Sequence, residues 1–222
     1  VGLDLDRRQL FRLGLAAAAA WQLEPWAVQA LAAPVAGSPP SPADVTSTLE
    51  AFADTLIPGK KRSPADRAVA GAVDGPGAVQ AGAVDFMQFP PLGVGPALPA
   101  LAAAVNARAA AYAAAQQLVS DPTVPPFVGL DFTHRTRLAV ELLDFTQPDY
   151  LAYYALAALA CLGFHTAGHL HTADAVRNGH PGLATLGFPQ PDPDGLWRFP
   201  EFSYRRRLAR QHPHTTRSGN PA

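Results

Sequence analysis

The sequence predicts an all-α fold: an irregular helical bundle around a central apolar helix, with long proline-rich loops and an extended C-terminal segment. Three features carry that expectation. Apolar residues recur at helical spacing in several segments, no alternating strand pattern of useful length occurs, and alanine, the strongest helix former, is abundant. The 23 prolines fall mostly between the helical segments, so the connections should wander.

The first helix should open at "SPAD". Ser41 caps, Pro42 takes the first helical position, and Asp44 lies beside the positive end of the helix dipole. Val45, Leu49, Phe52, Ala53 and Leu56 then form one apolar stripe, and Pro58-Gly59 stops it. The same tetrapeptide returns at Ser63-Pro64-Ala65-Asp66, ahead of a second helix expected over residues 77–89. Alanine-rich residues 96–119 predict a longer helix, and "SDPTVPPFVGLDF" reads as loop. Thr133 is the expected cap of a helix reaching Phe145, with Leu138, Leu142 and Leu143 inward. The longest helix is expected over 149–178, closed by Asn178-Gly179. Within it, residues 151–164 are apolar on nearly every side, too few to span a bilayer, which predicts a central core helix.

Composition narrows the function classes. With 17 basic and 18 acidic residues, the net charge of -1 gives no bulk attraction to nucleic acid or anionic lipid. Hydrophobic residues make up 48% of the 222 positions, and the charged fraction of 16% is low for a soluble domain, so part of the surface is expected to be covered by a partner. Cys161 is the single cysteine, which leaves no intrachain disulfide.

The ends differ from the body. Residues 1–40 read as a leader and linker. Asp6-Arg7-Arg8-Gln9-Leu10-Phe11-Arg12 resembles a twin-arginine export signal, and Ala30-Leu31-Ala32 would serve for cleavage. The alternative is a retained amphipathic N-terminal helix in a cytoplasmic protein. Residues 41–195 form the helical domain. Residues 196–222 read as an extended docking tail, in which Trp197, Phe199, Phe202, Tyr204, Arg205, Arg206 and Arg207 are interface side chains, laid over the chain's own helices or a partner's.

"GFHTAGHLHTADA" holds the candidate chemistry: His165, His169 and His171. On a continuous helix His165 and His169 share a face, about 40° apart, and could chelate a metal. Yet Thr166 stands where a zinc-protease helix carries glutamate, and Cys161 lies about 12 Å from His169 along the axis, so one ion could not hold all three. Further ligands would have to come from His134, Glu141, Asp144 or His180. His171 faces elsewhere, with Asp174 one turn on as its partner. The three histidines are therefore read as structural or interface residues. No nucleophile elbow, P-loop, dinucleotide fingerprint, paired-cysteine motif or EF-hand loop is present, and "DGPGAVQAG" lacks a phosphate cradle's lysine. Asp44, Glu50, Asp54, Asp85, Glu141 and Asp144 are expected on solvated helix faces. No catalytic residue is assigned.

The twin-arginine leader, the alanine-rich spacer and "TLEAFADTLIPG" from Thr48 to Gly59 are together similar to the gluconate 2-dehydrogenase subunit 3 family. The second half, with "PPFVGLDFTHRT" and "HPGLATLGF", departs from it and looks like a related actinobacterial family often found beside such oxidoreductases. The resemblance implies a small subunit that accompanies a flavin-dependent large subunit of the glucose–methanol–choline (GMC) type, carries the export signal and supports assembly. It implies FAD in the partner, no cofactor on this chain, and no catalytic residues to transfer. Two other expectations stand beside it: a metal-dependent enzyme using His165 and His169, and histidines that project into the partner's active site.

Overall fold

Residues 40–190 are described by a computed structural model. Residues 1–39 of the leader and the tail residues Trp197, Phe199, Phe202, Tyr204, Arg205, Arg206 and Arg207 lie outside the described residues. The described part is all-α, with no strand in it.

Helix α1 (Pro42–Leu56) begins as its sequence dictates. The Ser41 hydroxyl accepts from Asp44 N–H at 3.2 Å, and the Asp44 carboxylate accepts from Ser41 N–H at 3.3 Å, a reciprocal capping box. It packs against α2 (Ala83–Met87), α3 (Leu98–Ala115), α4 (Pro126–Gly129), α5 (Phe132–Leu142) and α6 (Tyr150–Thr166). Two short helices, α7 (Thr172–Arg177) and α8 (Pro181–Thr185), close the described chain. Leu49 and Phe52 of α1 are fully buried, with the Phe52 ring 5.9 Å from that of Phe127. Thr48 accepts from Asn106 of α3, whose amide oxygen accepts from Phe127 N–H of α4, so one polar relay ties three helices.

Several expected boundaries move. The 77–89 helix is reduced to α2, because Gly82 adopts a left-handed φ of 73° and the preceding residues are turns. Part of the expected loop 120–132 is α4. Asp131, not Thr133, caps α5, accepting from His134 N–H at 2.8 Å. The helix expected over 149–178 breaks at Ala167, whose φ of 49° is left-handed. Here Thr166 turns its hydroxyl back to the Leu162 carbonyl and accepts from Gly168 N–H. Gly182 of α8 lies against the Phe164 carbonyl with no room for a Cβ, so α8 packs over the end of α6.

The excursion from Ile57 to Gly82 is fastened by buried charge. Asp54, grouped by sequence with solvated carboxylates, is fully buried and accepts from Gly59 N–H at 3.0 Å and Ala70 N–H at 2.8 Å. Arg135 of α5, 3% exposed, donates to the carbonyls of Leu130, Ala68, Arg67 and Val128 at 2.6–2.9 Å. Burial pulls its pKa down, and the Asp54 carboxylate acts against that shift. For Asp54 the balance is the mirror image. Burial raises its pKa against the two N–H donors and the Arg135 charge. The second "SPAD" forms no helix. Its Asp66 carboxylate accepts from Ala68 and Val69 N–H and from Arg62, which also pairs bidentately with Glu50.

Arg135→Met should lower stability to urea unfolding by about 3–5 kcal/mol, since it strands four carbonyls and leaves buried Asp54 without its compensating charge. Arg62→Ala, at a half-exposed pair, should cost about 1 kcal/mol or less. Equal losses for the two would contradict this ranking.

Candidate functional site

Helix α6 contains no charged residue among its 17 positions, and its sides meet different surroundings. Ala152, Tyr153, Leu156, Ala157, Leu159, Ala160, Gly163 and Phe164 face inward. At Gly163 an added Cβ would lie 3.0 Å from the Ala83 backbone and from Phe86, so the missing side chain sets how closely α2 and α6 approach. Advancing 100° per residue places Leu151, Tyr154, Ala155, Ala158, Cys161, Leu162 and His165 on the opposite arc. All seven are exposed or half-buried: Leu151 is 60%, Tyr154 59% and Leu162 45% accessible. The helix expected at the centre is thus open along one uncharged side. Small Ala158 lies near the middle of this arc, with Ala155 and Cys161 at its two edges, a profile that permits close approach by another backbone. Sequence reasoning missed Leu151, Tyr154 and Leu162 as surface residues. Their signal was the same unbroken hydropathy that was read as burial.

The three candidate histidines occupy different settings at the end of this helix. His165, exposed in the last turn, stacks edge-on to Phe164 with centroids 5.1 Å apart. His169 lies beyond the break, half-buried, its ring edge-on to Phe86 at 6.1 Å. Its Nδ1 is buried with no hydrogen-bond partner. The shared helical face expected of His165 and His169 is therefore lost, because α6 ends between them. His171 precedes α7, exposed, with Nδ1 3.5 Å from Asp174, as expected.

The other nominated ligands are occupied or dispersed. His180 is buried. Its Nε2–H donates to the Ala81 carbonyl at 2.9 Å, and its Nδ1 accepts from Leu183 N–H, which caps α8 and fixes the tautomer. His134 Nδ1 lies 3.0 Å from the Tyr112 hydroxyl. Glu141 and Asp144 are exposed, and Asp144 accepts from Thr146 N–H and O–H. Among the described residues, no three His, Cys, Asp or Glu side chains are grouped to hold a metal ion.

Two shallow clefts, of about 320 and 380 Å³, lie elsewhere. The first is lined by Glu50, Arg62 and Asp66, already paired with one another; the second lies around Tyr112, Arg137 and Glu141. Neither includes His165, His169 or His171. Among the described residues no helix is long and apolar enough to cross a membrane.

A model of a family of unknown function, DUF5987, matches residues 43–222, and the chain belongs to that family. Neither the curated proteins nor the solved structures contain a match to it.

Burial lowers the pKa of His169 below the ordinary 6.5; the Asp85 carboxylate opposes that shift and His180 reinforces it. The unfolded chain therefore binds more protons at this site, so the stability tied to neutral His169 is complete above 6.5 and is lost as pH falls through 6.5 to the lowered value. Unfolding midpoints in urea between pH 7 and 5 should fall less steeply for His169→Leu than for the wild type. Parallel curves would show that His169 does not titrate in this way.

Proposed function

We propose that this DUF5987 protein is a non-catalytic accessory subunit that binds and stabilises a flavin-dependent oxidoreductase of the GMC type. The observation that carries this reading is the uncharged outer side of α6, where Leu151, Tyr154 and Leu162 stand exposed on a helix whose other side is locked into the core. A contiguous apolar strip on a soluble body favours a macromolecular partner over a small substrate. The resemblance of Thr48 to Gly59 to a subunit family of such oxidoreductases supplies the partner's class.

On this reading Leu151, Tyr154 and Leu162 are anchors that enter hollows on the flavoprotein, while Ala155 and Ala158 let the two surfaces close. His165, at the end of the strip, is the polar group that would orient the contact. The flavin and the bond-making residues belong to the large subunit. Arg7-Arg8 and the leader around them would carry the assembled pair through a twin-arginine route.

Leu162→Asp and Tyr154→Asp each place a charge on the strip without touching the core. Each should weaken binding to a co-expressed GMC-type flavoprotein from the same organism by about tenfold or more, since a desolvated unpaired charge costs more than 1.4 kcal/mol. Thermal unfolding of the subunit alone should be unchanged. Undiminished co-purification of both variants, measured by flavin absorbance per subunit, would contradict the reading.

A further inference from the structure

Helices α7 and α8 have a small core of their own. Ala167, Ala175, Val176 and Leu183 form an apolar cluster separate from the main one. This unit meets the body where Gly182 lies against the Phe164 carbonyl, where His180 donates to the Ala81 carbonyl, and where the turn between α6 and α7 covers Phe86 of α2. In that turn a Cβ on Gly168 would sit 2.9 Å from the Phe86 ring, and the His169 ring stands edge-on to it. The turn passes through left-handed Ala167, a conformation that residues other than glycine rarely adopt, and Leu170 N–H closes it by donating to the Ala167 carbonyl at 2.8 Å.

His169 is the weak point of this contact. Its Nδ1 is buried and has no hydrogen-bond partner among the described residues. The other end of the ring faces Gly82, where a Cβ would lie 2.8 Å from His169 Nε2 and 3.3 Å from an Asp85 carboxylate oxygen. Asp85, exposed on α2, is thus the neighbouring acid, and it stands toward Nε2 rather than Nδ1. On the side of α8 the titratable neighbour is His180, whose two ring nitrogens are both engaged. Helix α6 brings no acid to the ring, only exposed His165, and Asp174 of α7 is taken by His171 and Arg177. A protonated ring would therefore hold a charged donor at Nδ1, shut from water and without an acceptor. Turning the ring outward restores its hydration.

We infer that His169 is an acid-sensitive latch: its protonation releases the turn Ala167–His171, together with α7, from Phe86 of α2 while the helices of the main core stay closed. Opening is confined to this region because α7 has only six residues and packs chiefly on α8, which places it at the low end of the stability range. The inference concerns the chain by itself and is independent of the partner that takes the outer side of α6.

Hydrogen exchange of the full-length protein at pH 7.5 and 5.0, followed by mass spectrometry and normalised to intrinsic rates at each pH, tests it without any flavoprotein present. Peptides spanning residues 167–178 should lose protection by about threefold or more at pH 5.0. A single proton on a group of ordinary pKa 6.5 allows at most about thirtyfold. Protection in α3 should hold, and a loss there as large as in the turn overturns the inference. His169→Leu should keep the turn equally protected at both pH values, whereas His171→Ala should lose protection as the wild type does. A smaller loss in the wild type overturns the inference. So does a loss that persists in His169→Leu, which would assign the response to His180. Should His169→Leu fail to fold, His169→Gln, neutral and polar, makes the same comparison.

Discussion

The structure depends on a guanidinium that is buried without a carboxylate in contact. Arg135 is neutralised in the polar sense by four backbone carbonyls, two from the loop at Arg67 and Ala68, one from Val128 of α4 and one from Leu130 just before its own helix. Asp54 does the converse, gathering two backbone N–H groups from the excursion that follows α1. Together they turn a proline- and glycine-rich stretch with few apolar side chains into a fixed wall of the core. The charges stabilise each other across the gap, and neither is left without donors or acceptors. Breaking either cluster exposes polar backbone to an apolar interior, which is the costly direction.

That constraint explains what Thr48 to Gly59 does here. Within this stretch Thr48 and Asp54 each reach beyond their own helix, one to Asn106 and the other to the turn at Gly59 and the strand of loop at Ala70. At the crossing, a Cβ on Gly77 would lie 2.5 Å from Gly59 N, Ile57 O and Pro58 C, so the loop can close only because that position is glycine. The motif is scaffolding, and it leaves α6 free to present its outer side.

Legibility in the sequence followed the range of the interaction. The α1 cap and the body of α3 were readable because capping and alanine propensity act within a few residues. The break at Ala167 was not, since the left-handed position is held by an alanine, with Gly168 only after it, and α8, which packs on the end of α6, comes from residues further along the chain. Asp54 and Arg135 were equally silent, because their partners sit in distant loops. His165, His169 and His171 were found as a group, yet the pairing expected of the first two depended on a helix that does not continue. The most informative misreading concerns α6. Hydropathy identifies a helix without charge, but it cannot distinguish a side covered by the core from one left for another surface.

The proposed role rests on the outer side of α6 acting as a binding surface. A photo-crosslinking residue in place of Ala158, midway along the strip, tests it most directly when irradiated with and without the GMC-type flavoprotein. Adducts should pass to the flavoprotein when it is present. A crosslinking pattern that the flavoprotein leaves unchanged would contradict the claim.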